Sequence, residues 1–154
     1  MEWAGRKNKE FHATLRSLIR VLSDSQRGMA EIGERLSDQT LRRYFLMESL
    51  RRANFRAELE NVLHRDGVAD VHEGGTATGA LYRAWAGLKS ALGAGDEAML
   101  GVAEHAEEEA RDAYREALNA QLPVPIRQTV VEQRTHILIA HDYLREQRQG
   151  LRAA

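Results

Sequence analysis

Apolar residues recur at every third or fourth position along four long stretches of the chain, a spacing that predicts four amphipathic helices. These stretches cover residues 10–36, 39–65, 97–120 and 125–149. The chain contains only two prolines, so residues that interrupt helices are rare in both halves. The pattern therefore predicts an all-α protein.

Short turns separate the two helices of each pair. Ser37 and Asp38 lie between the first two stretches, and Pro123 and Pro125 lie between the last two. Ser and Asp cap the start of a helix, and proline is favoured in its first turn. Because such tight connections join antiparallel neighbours, we expect two helical hairpins.

Residues 67–95 form a much longer connection between the two hairpins than a simple bundle needs. Thr76 or Thr78 can cap a short helix within it that carries Trp85. A segment of this length can return the chain along the bundle axis, which is the connectivity of ferritin-like bundles. We therefore expect one ferritin-like four-helix-bundle domain over residues 1–154, built of two antiparallel hairpins and a long crossover.

The charge balance and the absence of cysteine narrow the possible chemistry. The chain has 22 basic and 23 acidic residues and a net charge of -1, which does not predict nucleic-acid binding. Local DNA association through Arg6, Lys7 and Lys9 stays open as an alternative. Without cysteine, disulfides and thiolate metal sites are excluded, so any metal must bind His, Asp or Glu.

No apolar run is long enough to span a bilayer, and the first ten residues are charged where a signal peptide needs an apolar segment. We therefore expect no membrane association and a cytoplasmic location.

Two of the predicted helices carry a polar residue in the middle of an apolar row. Glu107 interrupts the third long helix and His141 the fourth. The two rows are Leu100, Ala103, Glu107, Ala110, Tyr114, Ala117 and Val130, Arg134, Ile137, His141, Leu144. Polar groups at such positions are either hydrogen-bonded structural residues or metal ligands.

Scattered motifs along nearly the whole chain resemble a small bacterial ferritin-like family of unknown function, whose members are four-helix proteins of about this length. These motifs are Leu15 to Ile19, Asp24, Gly28, Arg52-Ala53-Asn54-Phe55, Glu58-Leu59, Gly79-Ala80-Leu81, Trp85, Leu88-Lys89, Ala91-Leu92, Glu104, Glu107, Tyr114 and His141-Asp142. The resemblance implies a bundle distantly related to ferritin and rubrerythrin, and it transfers no activity. Ser25 and Ala103 depart from this pattern, in which glycine and cysteine are common at the two positions.

A two-metal carboxylate centre in such a bundle needs a Glu-x-x-His pair on each of two helices, and no such pair lies on a core face here. A partial ligand set remains, which could hold one iron, manganese or zinc ion. Its members are Glu107, His141, Glu104, Glu58 and Glu48. The alternative is a buried structural pair of Glu107 and His141, joined by Tyr114 or Arg134, that fixes helix register.

The apolar residues of the second helix fall in two groups that cover more than one face. The groups are Leu46, Leu50, Ala53, Ala57 and Leu41, Phe55, Leu59, Val62. One group can face the core and the other a second copy, so we expect a homodimer. The first hypothesis is a non-catalytic, stress-associated or partner-binding protein without catalytic residues. The alternative is a metal-binding protein with oxidase or metal-storage activity, so the sequence leaves open whether the chain is an enzyme.

Overall fold

The computed structural model describes residues 2–71 and 85–154, with side chains described from residue 10 onward, and it is all-α over these ranges. Its helices in chain order are α1 (Glu2–Arg35), α2 (Gln39–Arg65), α3 (Leu88–Ala91), α4 (Asp96–Asn119) and α5 (Val124–Ala153). The four long helices match the four predicted stretches. Helix α1 begins eight residues earlier than predicted, at Glu2.

The first hairpin pairs α1 with α2 along their lengths. The carboxylate of Asp38 caps α2 by accepting a hydrogen bond of 2.9 Å from the backbone N–H of Leu41. The helix ends at Arg65, and Gly67 follows with a φ of 80°, a backbone conformation that favours glycine. The predicted bounds of α2 are therefore confirmed at both ends, each by the residue that predicted it.

The second hairpin pairs α4 with α5, and Pro123 and Pro125 lie at the start of α5 as predicted. Asp96 is the first residue of α4, but its side chain does not cap this helix. Gly95, with a φ of 100°, holds the N-cap position. The Asp96 carboxylate instead accepts hydrogen bonds from the backbone N–H groups of Ser37, at 2.9 Å, and Asp38, at 3.2 Å. The start of α4 is thereby attached to the turn of the first hairpin.

Two apolar clusters fill the interior at opposite ends of the four long helices. The first joins the beginning of α1, the end of α2, the second half of α4 and the first half of α5; the second joins the opposite ends of the same helices. Helices α2 and α4 therefore run in the same direction, and the chain between them travels from one end of the molecule to the other. Residues 72–84 of this crossover, which include Thr76, Thr78 and Leu81, lie outside the described residues.

Trp85 attaches the described part of the crossover to the first hairpin. Its indole packs against both apolar clusters and lies directly over Gly28 of α1. A Cβ atom at position 28 would be 2.3 Å from the ring, so only glycine leaves room for it. Helix α3, which follows, contacts α4.

Within the described ranges, none of the helices combines the length and the apolar character that crossing a bilayer would require.

Candidate functional site

Arg52 of α2 lies in the centre of the molecule and is fully buried. Its guanidinium donates two hydrogen bonds to the carboxylate of Glu107 on α4, from Nη1 at 2.9 Å and from Nη2 at 2.8 Å. Nη2 also donates to Glu48, at 3.1 Å, and Nη1 to the Ser25 hydroxyl of α1, at 3.2 Å. One side chain therefore links α1, α2 and α4 by charge-assisted hydrogen bonds.

Glu48 extends this network to α5. Both of its carboxylate oxygens accept hydrogen bonds from Nε2 of His136, at distances of 3.0 and 2.8 Å. The ring of His136 also packs edge-on against Phe55, with centroids 5.5 Å apart. Burial by itself would raise the pKa of Glu48, but the hydrogen bond from His136 and the charge of Arg52 outweigh it and hold that pKa below its usual value. We define Ser25, Glu48, Arg52, Glu107 and His136 as the central network.

A second polar contact lies next to the central network. The buried Tyr114 hydroxyl donates to the side-chain carbonyl of Gln133 on α5, at 2.7 Å, and the amide of Gln133 donates to the backbone carbonyl of Phe55, at 3.2 Å. Burial raises the pKa of Tyr114, so this phenol remains a neutral hydrogen-bond donor. These contacts bind α4 and α5 to α2 without involving an ionised group.

The structure divides the five predicted ligands among three places. Glu107 and Glu48 belong to the central network, where each carboxylate binds Arg52. Glu58 lies toward the end of α2, near Glu132 of α5, and its pKa is raised by loss of solvent and then by the charge of Glu132. His141 and Glu104 lie together at a third position, away from Arg52. The expected meeting of Glu107 with His141 is thus replaced by two separate sets of contacts.

At this third position His141 faces two carboxylates of α4. Its Nε2 lies 3.1 Å from the carboxylate of Glu108, and its Nδ1 lies 3.3 Å from that of its neighbour Asp142. Glu104, one turn before Glu108, completes a group whose potential ligand atoms all lie within 4.8 Å of one another. Arg148 donates to Glu104 at 3.2 Å. We define Glu104, Glu108 and His141 as the His141 cluster.

The central network does not fit the two-metal centre that a ferritin-like bundle implies. Such a centre places its cations between carboxylates of facing helices. Here the guanidinium of Arg52 lies between Glu48 and Glu107 and contacts both. A metal ion in that space would meet a fixed positive charge instead of free carboxylate oxygens. No step of metal chemistry is therefore assigned to these residues.

Sequence reasoning missed Arg52 and His136 as members of the site. The signal for Arg52 was present, because it shares the helical row of Phe45, Glu48 and Leu59 and stands four residues after Glu48, the spacing of an ion pair on one face. The signal for His136 was weaker. His136 lies on the flank of α5, outside the apolar row. It joins the central network because Glu48 of α2 contacts this flank.

The sequence profile of a domain of unknown function (DUF2383) matches residues 10–120. The matched segment contains Arg52 and all the acidic residues of the central network and the His141 cluster, and it ends before His136 and His141. No match was found among curated proteins. The expectation of a family without an assigned function is confirmed.

We expect Arg52→Met to lower the free energy of unfolding by about 3–5 kcal/mol, because Glu107 would remain buried without its partner. The double variant Arg52→Met/Glu107→Leu removes both charges and should recover much of that loss. Urea denaturation of these two variants and of Glu107→Leu measures the interaction free energy between Arg52 and Glu107. Simple additivity of the two single changes would contradict the proposed dependence of Glu107 on Arg52.

Glu48 should make stability depend on acid pH. Because its pKa in the folded state is lowered, its contribution is complete above the usual carboxyl value of 4.5 and is lost as the pH falls through the lower folded-state value. We therefore expect the wild type to lose more stability below about pH 4.5 than Glu48→Gln does. Denaturation midpoints of both proteins, measured at a series of pH values below 4.5, give the change of stability with pH for each. An equal change in the wild type and in Glu48→Gln would contradict the prediction.

Proposed function

This chain belongs to the DUF2383 family, and we propose that it is a non-catalytic, ferritin-like four-helix bundle that acts by associating with a second copy of itself. The proposal also includes that the four long helices form a single domain and that the protein is of bacterial origin. The observation that carries it is the apolar outer surface of α2. A cytoplasmic location and a role in stress remain predictions from the sequence alone.

The outer surface of α2 supports the dimer. Met47 is 62% exposed and Leu50 is 67% exposed, and the neighbouring Leu46 is also exposed. In the other apolar group of this helix, Leu41, Leu59 and Val62 are buried and Phe55 is partly buried. The helix thus has one apolar face in the core and apolar side chains on a second face, the division that the sequence predicted. Contiguous exposed apolar side chains can mark a protein–protein interaction surface.

The central network supports the non-catalytic part of the proposal. Glu48 and Glu107, the carboxylates of the central network, are neutralised by Arg52 from within the same chain. Their oxygens are occupied by hydrogen bonds to Arg52 and His136, so they are not available to a substrate or an ion. A role in holding the helices in register accounts for these contacts.

We expect the wild type to elute as a dimer, with twice the chain mass of 17.4 kDa, when it is analysed at micromolar concentration by size-exclusion chromatography with light scattering. Leu50→Glu, or Met47→Glu, should give a monomer because it places charge in the proposed apolar contact. Val124→Glu is the matched control, since Val124 is 69% exposed but lies at the start of α5. A monomeric wild type, or equal dissociation by the control, would overturn the dimer.

The absence of oxidase activity is tested separately. When ferrous iron is added under air, the wild type should consume oxygen no faster than buffer, because Arg52 excludes the ions from the central carboxylates. Oxygen-electrode traces of the wild type and of Glu107→Gln should therefore coincide. Catalysed oxidation in the wild type that Glu107→Gln abolishes would refute the non-catalytic role.

A further inference from the structure

From the geometry of the His141 cluster, we infer that this chain binds one divalent transition-metal ion, with zinc as the best-fitting probe, at Glu104, Glu108 and His141. This site lies apart from the central network and is independent of the proposed dimer contact. Its three side chains come from both helices of the second hairpin, Glu104 and Glu108 from α4 and His141 from α5.

The spacing of the side chains matches a shared ion. Glu104 and Glu108 are four residues apart on one helix, so they lie on the same face one turn apart. Zinc binds imidazole nitrogen and carboxylate oxygen at about 2.0–2.2 Å, which places ligand atoms of one ion about 3–4 Å apart. The Nε2 of His141 already lies 3.1 Å from Glu108, and all three ligand atoms lie within 4.8 Å of one another. Small rotations of the side chains would complete the coordination.

The contacts of His141 also fit a ligand role once an ion is bound. Both of its ring nitrogens face carboxylate oxygens, Nδ1 that of Asp142 and Nε2 that of Glu108. A neutral imidazole can donate through only one of them. With a metal ion bound, the Nε2 lone pair would bind the ion while Nδ1–H donates to Asp142. Ligating histidines in metalloproteins have this second carboxylate contact, which fixes the ring and its tautomer.

The surroundings of the His141 cluster hold two of its side chains in place and leave the third in contact with solvent. The side chain of His141 is only 8% exposed and that of Glu104 only 12%, whereas that of Glu108 is 40% exposed. Two ligands are therefore held by packing and the third borders solvent, through which an ion can enter. Arg148, which donates to Glu104, is also bonded to Glu97 at 3.1 Å and helps to fix Glu104 in place.

The ligand set also fits the charge of a divalent ion. Two carboxylates and a neutral imidazole balance the charge of Zn²⁺ and leave at least one coordination position for water. Oxygen and nitrogen ligands of this kind accept manganese and ferrous iron as well, with affinity rising toward zinc. Here the metal would join α4 to α5 and stabilise the hairpin by an amount that rises with the ratio of free metal concentration to Kd.

The experiment is isothermal titration of the untagged full-length chain with zinc chloride after removal of metal by a chelator. We expect one zinc ion per chain, and His141→Ala and Glu108→Gln should each weaken binding at least about tenfold. His64→Ala is the matched control, since His64 is an exposed histidine of α2, and its affinity should equal that of the wild type. Circular dichroism confirms that each variant is folded; Glu108→Gln changes the most exposed ligand and keeps the test valid if His141→Ala unfolds.

Three outcomes would overturn the site: no zinc binding by the wild type, full affinity in Glu108→Gln, or equal weakening by His64→Ala. X-ray absorption of the zinc-loaded protein gives a second readout and should show imidazole and oxygen ligands. The monomeric Leu50→Glu variant should bind zinc as the wild type does, so a failure of the dimer and a failure of the metal site can be distinguished.

Discussion

The burial of one guanidinium determines how the long helices of this protein fit together. Arg52 is fully buried and donates to side chains of α1, α2 and α4, while Glu48 carries the same network to His136 of α5. Apolar packing is tolerant of small shifts, but a planar guanidinium binds a carboxylate in only a few orientations. The apolar clusters therefore supply most of the driving force for folding, and the central network selects one arrangement of the helices.

The same network distinguishes the interior of this protein from a two-metal carboxylate centre. A bundle that holds two metal ions leaves carboxylates on facing helices and lets the ions neutralise them. In this chain the neutralising charge is part of α2, since Arg52 pairs with both Glu48 and Glu107. The candidate metal cluster lies instead around His141, where one imidazole meets two carboxylates near solvent. Glu107, with its structural role, and Glu108, with its proposed ligand role, are thus adjacent residues of α4.

Local signals made much of the fold predictable. Asp38 and Gly67 marked the ends of α2 because capping and left-handed backbone depend on the residue itself. The buried position of Glu107 followed from helical spacing alone. The partner of Glu107 could not be predicted in the same way. Helical spacing gives the position of each residue around its own helix, but not the residue of another helix that it contacts. Arg52 was therefore overlooked, and His141 was assigned to Glu107 when its contacts are with Glu108 and Asp142.

The shared direction of α2 and α4 has a consequence for how the chain folds. Each hairpin forms from neighbouring segments and can assemble early, since its loop is short. The two hairpins are joined only by the long crossover, so no local turn aligns them. Their docking must bring Asp96 to the backbone of Ser37 and Asp38 at one end, while Arg52 meets Glu107 in the middle. Polar contacts between residues far apart in sequence therefore favour one alignment of the two hairpins over all others.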